Sequence, residues 1–317
     1  MQSLILNNLA VIDFSKTTSA KLSACDSRAS IGRIDVICRG ERCYVICFML
    51  NDDTDYVLSY ADEHSPLRFR TGKSSNSLGP LHVTFEHLPY IEIIARTVPG
   101  EFLVTNDWSV NFWVELLSRS LFTLPMSSVQ HELILLPCPE KRYCITDFDA
   151  KQRQRKLKKY HSLFDIRVNS DFELALRTAA DWHRGHNGTW LSSSCVANLL
   201  SIYRSQNSKV RMVSFEAWEK ATGELAAVSL GYSCGLNFHD FSACTIIRDK
   251  RSIGTILLER QRELLAQAGC KLWYLGFKIP YMQFLNGSEL DSKSFFELWD
   301  DGSKHGNNLT DALLGGI

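Results

Sequence analysis

The run FHDFSAC, residues 238–244, sets His239, Asp240 and Ser242 in an apolar stretch that reads as a strand. Strict alternation puts Asp240 and Ser242 on one face and His239 on the other. An aspartate in such a strand must find a partner or water, which makes Asp240 a candidate for orienting an amine or another cation. Further along, KLWYLGFKIPYMQF (271–284) reads as a strand that ends at Leu275-Gly276, with Pro280 forcing the chain out before Tyr281.

Two other stretches could meet phosphate. Residues 151–159, KQRQRKLKK, hold six lysines or arginines and no acid. Clustered cations of this kind release counterions on binding a nucleic-acid backbone, though a solvated helix face has the same composition. Lys141 and Arg142 upstream and Arg204, Lys209 and Arg211 downstream extend the run if they share its face. RDKRSIGTILLERQ (248–261) places Arg251-x-x-Gly254 at the start of a helix, where free backbone N–H groups can hold a pyrophosphate. Ile256 is expected to crowd that position, because a β-branched side chain stands where a phosphate must approach backbone. His183-x-x-His186 has no third ligand nearby, so it reads as surface polarity and no metal site is expected.

Composition narrows the classes. Lysine plus arginine equals aspartate plus glutamate at 35 each, so bulk charge predicts no polyanion partner and any such affinity must be local. Ten cysteines contain no C-x-x-C pair, which argues against structural zinc and for reduced thiols in the cytosol. No apolar run reaches the roughly 20 residues of a membrane span, and the first residues lack a basic signal-peptide start. Asn187-Gly-Thr matches the glycosylation sequon by chance on that reading.

The elements that must position these residues fall into an order. Residues 1–103 read as a β-rich module, with strands in IGRIDVICRG, RCYVICFML, DYVLSYA, LHVTFEHL and YIEIIART and a loop at GKSSNSLGP (72–80). A helix/strand segment, 104–160, begins with WSVNFWVELLSRSLF, whose Phe112, Trp113, Leu116, Leu117 and Leu121 recur at helical spacing, and continues through the strand HELILLP. Across 161–300 come a strand (SLFDIRVN), a helix capped by Ser170, and a second helix after GTW. A three-strand meander turned by Thr222-Gly223 and Gly235 follows, then a long helix and the closing strand. Residues 301–317 read as a flexible tail. Trp182, Trp190, Trp218 and Trp273 read as core.

This α+β order, with GTWL, the ATGELAA turn and the closing WYLG in sequence, resembles the leucyl/phenylalanyl-tRNA–protein transferases, especially divergent eukaryotic relatives, over about residues 104–298. The resemblance implies a GNAT-like acyltransferase domain behind the β-rich module. In it, acetyl-CoA is exchanged for the aminoacylated 3′ end of tRNA, with no cofactor. It implies transfer of leucine or phenylalanine to the N-terminal arginine or lysine of an acceptor protein, marking that protein for degradation, by a cytoplasmic monomer without a membrane. Catalytic roles then fall to Asp240, Ser242 and Tyr274, substrate contacts to Trp190, Glu216, Gly276 and Tyr281, and tRNA contacts to Arg155, Lys156, Lys158 and Lys159. The bacterial enzymes carry a glutamate in the strand matching FHDFSAC and an acid then a glutamine in the strand matching WYLGF. Here Phe241 or Ser242, Tyr274 and Gly276 stand at those places, with Asp240 one residue aside. Two other classes stay open: a GNAT acyltransferase using acetyl-CoA, against which Ile256 argues, and a non-catalytic descendant that binds tRNA or protein without turnover.

Overall fold

The computed structural model describes residues 3–5, 9–14, 20–24, 33–39, 42–48, 54–60, 67–70, 81–97, 102–121, 123–127, 132–137, 139–148, 155–186, 188–278, 284–306 and 308–315. Contacts divide the chain into Met1–Tyr90 and Ile91–Ile317. The first unit is β-rich as the sequence predicts. Ser3–Ile5, Leu9–Phe14, Arg42–Phe48 and Arg33–Arg39 form one antiparallel sheet in that order, and Ala20–Ala24, Asp55–Tyr60 and Leu67–Arg70 form another. The loop expected at 72–80 lies outside the described residues. YIEIIART, expected as a strand, is part of the helix Leu88–Thr97. Its isoleucines tempt a strand reading, but Glu92 and Arg96 stand one helical turn apart and pair at 2.9 Å, with Ile91, Ile94 and Ala95 buried.

The second unit opens with strand β1 (Phe102–Thr105), helix α1 (Val110–Ser118), and strands β2 (Leu124–Ser127) and β3 (Glu132–Pro137). Phe112, Trp113, Leu116 and Leu117 bury the inner face of α1, as their spacing predicts. β3 pairs antiparallel with β1 and β2.

A seven-stranded sheet carries the rest. Its strands are β4 (Lys141–Ile145), β5 (Phe164–Val168), β6 (Arg211–Glu219), β7 (Leu225–Cys234), β8 (Asn237–Thr245), β9 (Leu272–Tyr274) and β10 (Ser288–Asp291), in the order β5-β6-β7-β8-β9-β4-β10. Helices α2 (Phe172–His186) and α3 (Ser193–Ser205) lie between β5 and β6, and α4 (Ile253–Gln267) between β8 and β9. Every pairing is antiparallel except β8 with β9, the two strands joined by α4. Two helices, an antiparallel meander, a crossover helix and the parallel strand β9 make this a GNAT-like α+β domain. β4, which comes from the segment expected as the 104–160 helix/strand subdomain, belongs to the same sheet.

Local details refine the sequence reading. Ser192 caps α3 as a serine should, accepting from Cys195 N. At α2 the cap is Asp171, whose carboxylate accepts from Leu174 N at 2.9 Å, rather than Ser170. Helix α5 (Ser292–Ser303) buries Phe295 and Trp299, and the tail expected to be loose at 301–317 carries the end of α5 and helix α6 (Asn308–Gly315), whose Leu309 and Leu313 bury almost completely. Of the four tryptophans expected in the core only Trp273 is fully buried; Trp182, Trp190 and Trp218 remain partly exposed. Cys144, Cys195, Cys234, Cys244 and Cys270 are buried free thiols.

Candidate functional site

β8 and β9 touch only over Asn237–His239 and Leu272–Tyr274, and beyond that they part. Two local features open the fork. On β8 the register with β7 slips at Leu230/Gly231, so that Ser242 faces Leu230 while Asp240 faces Gly231 and Phe241 bulges out between them. On the other arm, Gly276 takes φ +80°, a conformation that suits glycine, and its carbonyl accepts Tyr143 N at 2.8 Å, drawing the chain toward β4.

The bulge overturns the expected alternation. Asp240 turns toward α4, where Ser229 Oγ donates to its Oδ2 at 2.8 Å and Gln261 Nε2 at 3.2 Å. Ser242 turns the other way, toward α2, with its Oγ 3.2 Å from His183 Nε2. Asp240 and Ser242 therefore occupy opposite faces, because one extra residue reverses the two-residue period of a strand. His183, expected as surface polarity, is half-buried, and that burial lowers its pKa while a bond to the Ala243 backbone works the other way.

At the fork lies a cavity of about 150 Å³ lined by Arg142, His239, Asp240, Phe241, Tyr274 and Gly276, among others. Arg142, expected to extend the basic surface, is buried instead. It donates to the Pro139 carbonyl and Ser292 Oγ, hydrogen-bonds Tyr274, and lies 4.8 and 4.7 Å from the Phe295 and Phe296 ring centres. Burial pushes the Tyr274 hydroxyl far above its usual range, with Arg142 pulling the other way, so Tyr274 stays a neutral donor. Burial and the Arg142 charge push His239 down to about 3; its Nδ1 lies 2.9 Å from the Tyr232 hydroxyl. Burial also pushes Asp240 up to about 7, with Ser229, Gln261 and the Ser242 backbone holding it from rising further. The cavity thus combines a fixed cation, two neutral aromatic groups and a carboxyl poised to exchange a proton near neutrality.

A larger cleft of about 790 Å³ continues along the open arm of β8, lined by Trp182, His183, Ala243, Arg248, Leu257 and Phe284 among others. Ile256 does not crowd it: the side chain is 1% exposed and sits in the core. At Gly254 the helix start packs closely on β8: a Cβ there would stand 2.3 Å from the Thr245 Oγ1 hydroxyl. A third hollow, about 850 Å³, gathers Lys156, Lys158, Lys159 and Lys250 around Tyr160 and Ser252, bringing the basic run to the start of α4. Arg155 begins the same 3₁₀ helix, Arg155–Leu163, and its side chain lies outside the described residues.

The remaining expected site residues divide. Trp190 packs edge-to-face on Phe241, 5.9 Å between ring centres, beside the fork cavity. Glu216 does not line the cavity; it is fully buried and spends its carboxylate on Asp171 N, Ser214 Oγ and Trp218 Nε1, anchoring the start of α2. Tyr281 lies outside the described residues. Sequence reading missed Arg142 as a cavity residue, and it missed Gln261. The signal for Gln261 was present: it sits between Leu257 and Leu265 at four-residue spacing, a polar residue on the inward stripe of α4. Among the described residues no group of histidine, cysteine and acidic side chains is disposed to hold a metal ion, and no helix is long and apolar enough to cross a membrane.

Residues 145–300 match the family Leucyl/phenylalanyl-tRNA protein transferase. No curated protein matches the chain by sequence. Among solved structures, FemX is similar at 8% identity over 84% of this chain and 84% of that one, with a TM-score of 0.36. L-PGS from Bacillus licheniformis is similar at 13% identity over 63% of this chain and 65% of that one, with a TM-score of 0.31. A tandem GNAT protein from the clavulanic acid biosynthesis pathway gives 10% identity, 75% and 82% coverage, and a TM-score of 0.32.

Proposed function

Since residues 145–300 belong to the leucyl/phenylalanyl-tRNA protein transferase family, we propose that this chain moves an amino acid from a charged tRNA to the α-amine of an acceptor protein. The observation that carries the reading is the fork between β8 and β9 within that segment, with a polar cavity at its apex and a wider cleft of mixed apolar and polar lining along its arm. An aminoacyl ester is already activated, so the site has to bring amine and carbonyl together and stabilise the tetrahedral oxyanion. Arg142 and Tyr274 supply the cation and donor suited to that oxyanion, and the role of meeting the amine falls to Asp240, which lines the same cavity. The cleft takes the aminoacylated 3′ end, with Leu257, Leu258, Ile247 and Phe284 offering apolar surface to leucine or phenylalanine. In this reading the acceptor begins with arginine or lysine, and its tagging directs it to degradation in the cytoplasm.

The test is transfer of radiolabelled leucine and phenylalanine from charged tRNA to a peptide beginning with arginine. Incorporation by purified protein is expected; its absence with both tRNAs sinks the reading. The lysine hollow would meet acceptor-stem phosphates. Replacing Lys156, Lys158 and Lys159 together with alanine is then expected to weaken tRNA binding and lower the slope of log affinity against log salt by about 2 to 3. Binding measured across a salt series checks this, and an unchanged slope places the phosphates elsewhere.

A further inference from the structure

Gln261 is fully buried on α4, and its side chain is only half satisfied. Its Nε2 donates to Asp240 Oδ2 at 3.2 Å, while its Oε1 is buried without a hydrogen-bond partner. Leucine at that place would complete the apolar stripe of the helix, and an orphaned buried oxygen is a standing cost that packing alone gives no reason to keep. The orphan lies next to Asp240, the one carboxyl that lines the fork cavity among the described residues. From this geometry we propose that Gln261 is a positioning residue for Asp240, serving both of its protonation states so that Asp240 can take the proton of the attacking amine and return it. The inference rests on the aminoacyl-transfer reading.

The amide suits that task because it offers a donor and an acceptor from one side chain. When Asp240 is ionised, Nε2 donates to it, as in the structure. When Asp240 is protonated, the amide turned about its terminal bond presents Oε1 to the acid proton. In the reaction the acceptor nitrogen bonds to the ester carbonyl carbon and its proton passes to Asp240. The carbon–oxygen bond to the 3′ end of tRNA then breaks, and the proton on Asp240 goes to the departing oxygen. Ester and amine become amide and alcohol with no other reactant.

The surroundings leave this pair in charge of the titration. Ser229 on β7 and the Ser242 backbone on β8 give the carboxylate its other hydrogen bonds. Of the ionisable residues that share the cavity, His239 and Tyr274 are held neutral by burial and Arg142 on β4 is held by Tyr274, Ser292 and the Pro139 carbonyl. Along α4 itself, Glu259 turns to His161, and Arg262 to the carbonyls of Leu285 and Asp147. Burial has already brought Asp240 to about 7, where loss of one donor is felt directly in the working range.

The experiment is the pH profile of single-turnover transfer from leucyl- and phenylalanyl-tRNA to an arginine-initiated peptide, for the wild type, Gln261→Leu and Gln261→Glu. Removing the donor in Gln261→Leu is expected to move the acid limb up by about one pH unit, roughly tenfold in rate on that limb, with tRNA affinity unchanged. Gln261→Glu, close in shape and safer for folding, places a second carboxyl on the same proton and is expected to move the limb further in the same direction. Active variants whose rates fall equally at every pH, with the limb in place, overturn the inference and leave the transferase reading standing. No transfer by the wild type overturns both.

Discussion

Replacing Asp240 with asparagine is expected to cut transfer by about 10²- to 10⁴-fold, the range for loss of a positioned proton acceptor, while making the protein more stable at alkaline pH. Both effects follow from one placement. The carboxyl is buried on the α4 side of β8 with no ion pair among the causes that shift it, and burial raises it from 3.8 to about 7. An acid whose folded pKa lies above its unfolded value makes the native state bind more protons between the two. That stability is therefore full below about pH 4 and is lost as pH rises through about 7, by up to about 4 kcal/mol for a shift of roughly three units. Asparagine keeps the shape and avoids the charge. Urea unfolding of wild type and Asp240→Asn should coincide near about pH 4 and separate near about pH 8 with the variant more stable. A variant that is less stable at the alkaline end would remove Asp240 from the role of strained carboxylate, and one with undiminished transfer would remove it from the reaction.

The second large effect is structural. Gly231 faces Asp240 at the slipped register, and a Cβ there would stand 2.3 Å from the His239 carbonyl oxygen and 2.4 Å from Phe238 Cζ. The oxygen belongs to the backbone of the bulged strand, so relief requires moving β8 itself. Gly231→Ala is expected to cost about 3 kcal/mol, the upper range of overpacking in a core, and to close or distort the fork. Gly185, on α2, where an added methyl group would meet nothing within 4 Å, is the control. Alanine there should be neutral or mildly stabilising, since Gly185 is helical, in the last turn of α2, and helical positions favour alanine over glycine by up to about 1 kcal/mol. Denaturation midpoints of the two variants decide the matter: equal midpoints would mean that the bulge yields without cost.

Asp240 and Gly231 also show where sequence reasoning reached its limit. FHDFSAC was legible as a strand with a chemically capable aspartate, and the flanking elements were legible as a meander, crossover helix and closing strand. The face each side chain takes was not, because strict alternation assumes an unbroken ladder and the slip opposite Gly231 breaks it. Glu216 and Arg142 failed for a related reason. Charge type was visible in the sequence, but whether a charged group is a ligand, an anchor or a surface residue depends on neighbours that are far away along the chain. Ser292, 150 residues on, holds Arg142, and Asp171, 45 residues back, holds Glu216.

By itself the sequence determined what short-range physics sets: the β-rich first unit, the periodic helices α1 and α4, the glycine turns of the meander and the basic run before β5. The tertiary structure alone decided the fork, the opposite facing of Asp240 and Ser242, the burial of Arg142 and Gln261, and the packing of residues beyond 300. Local pattern fixes which residues share a helix stripe or a strand, since that requires only backbone periodicity. Burial, and with it the protonation of Asp240, is set by contacts among segments that meet only once the sheet has closed.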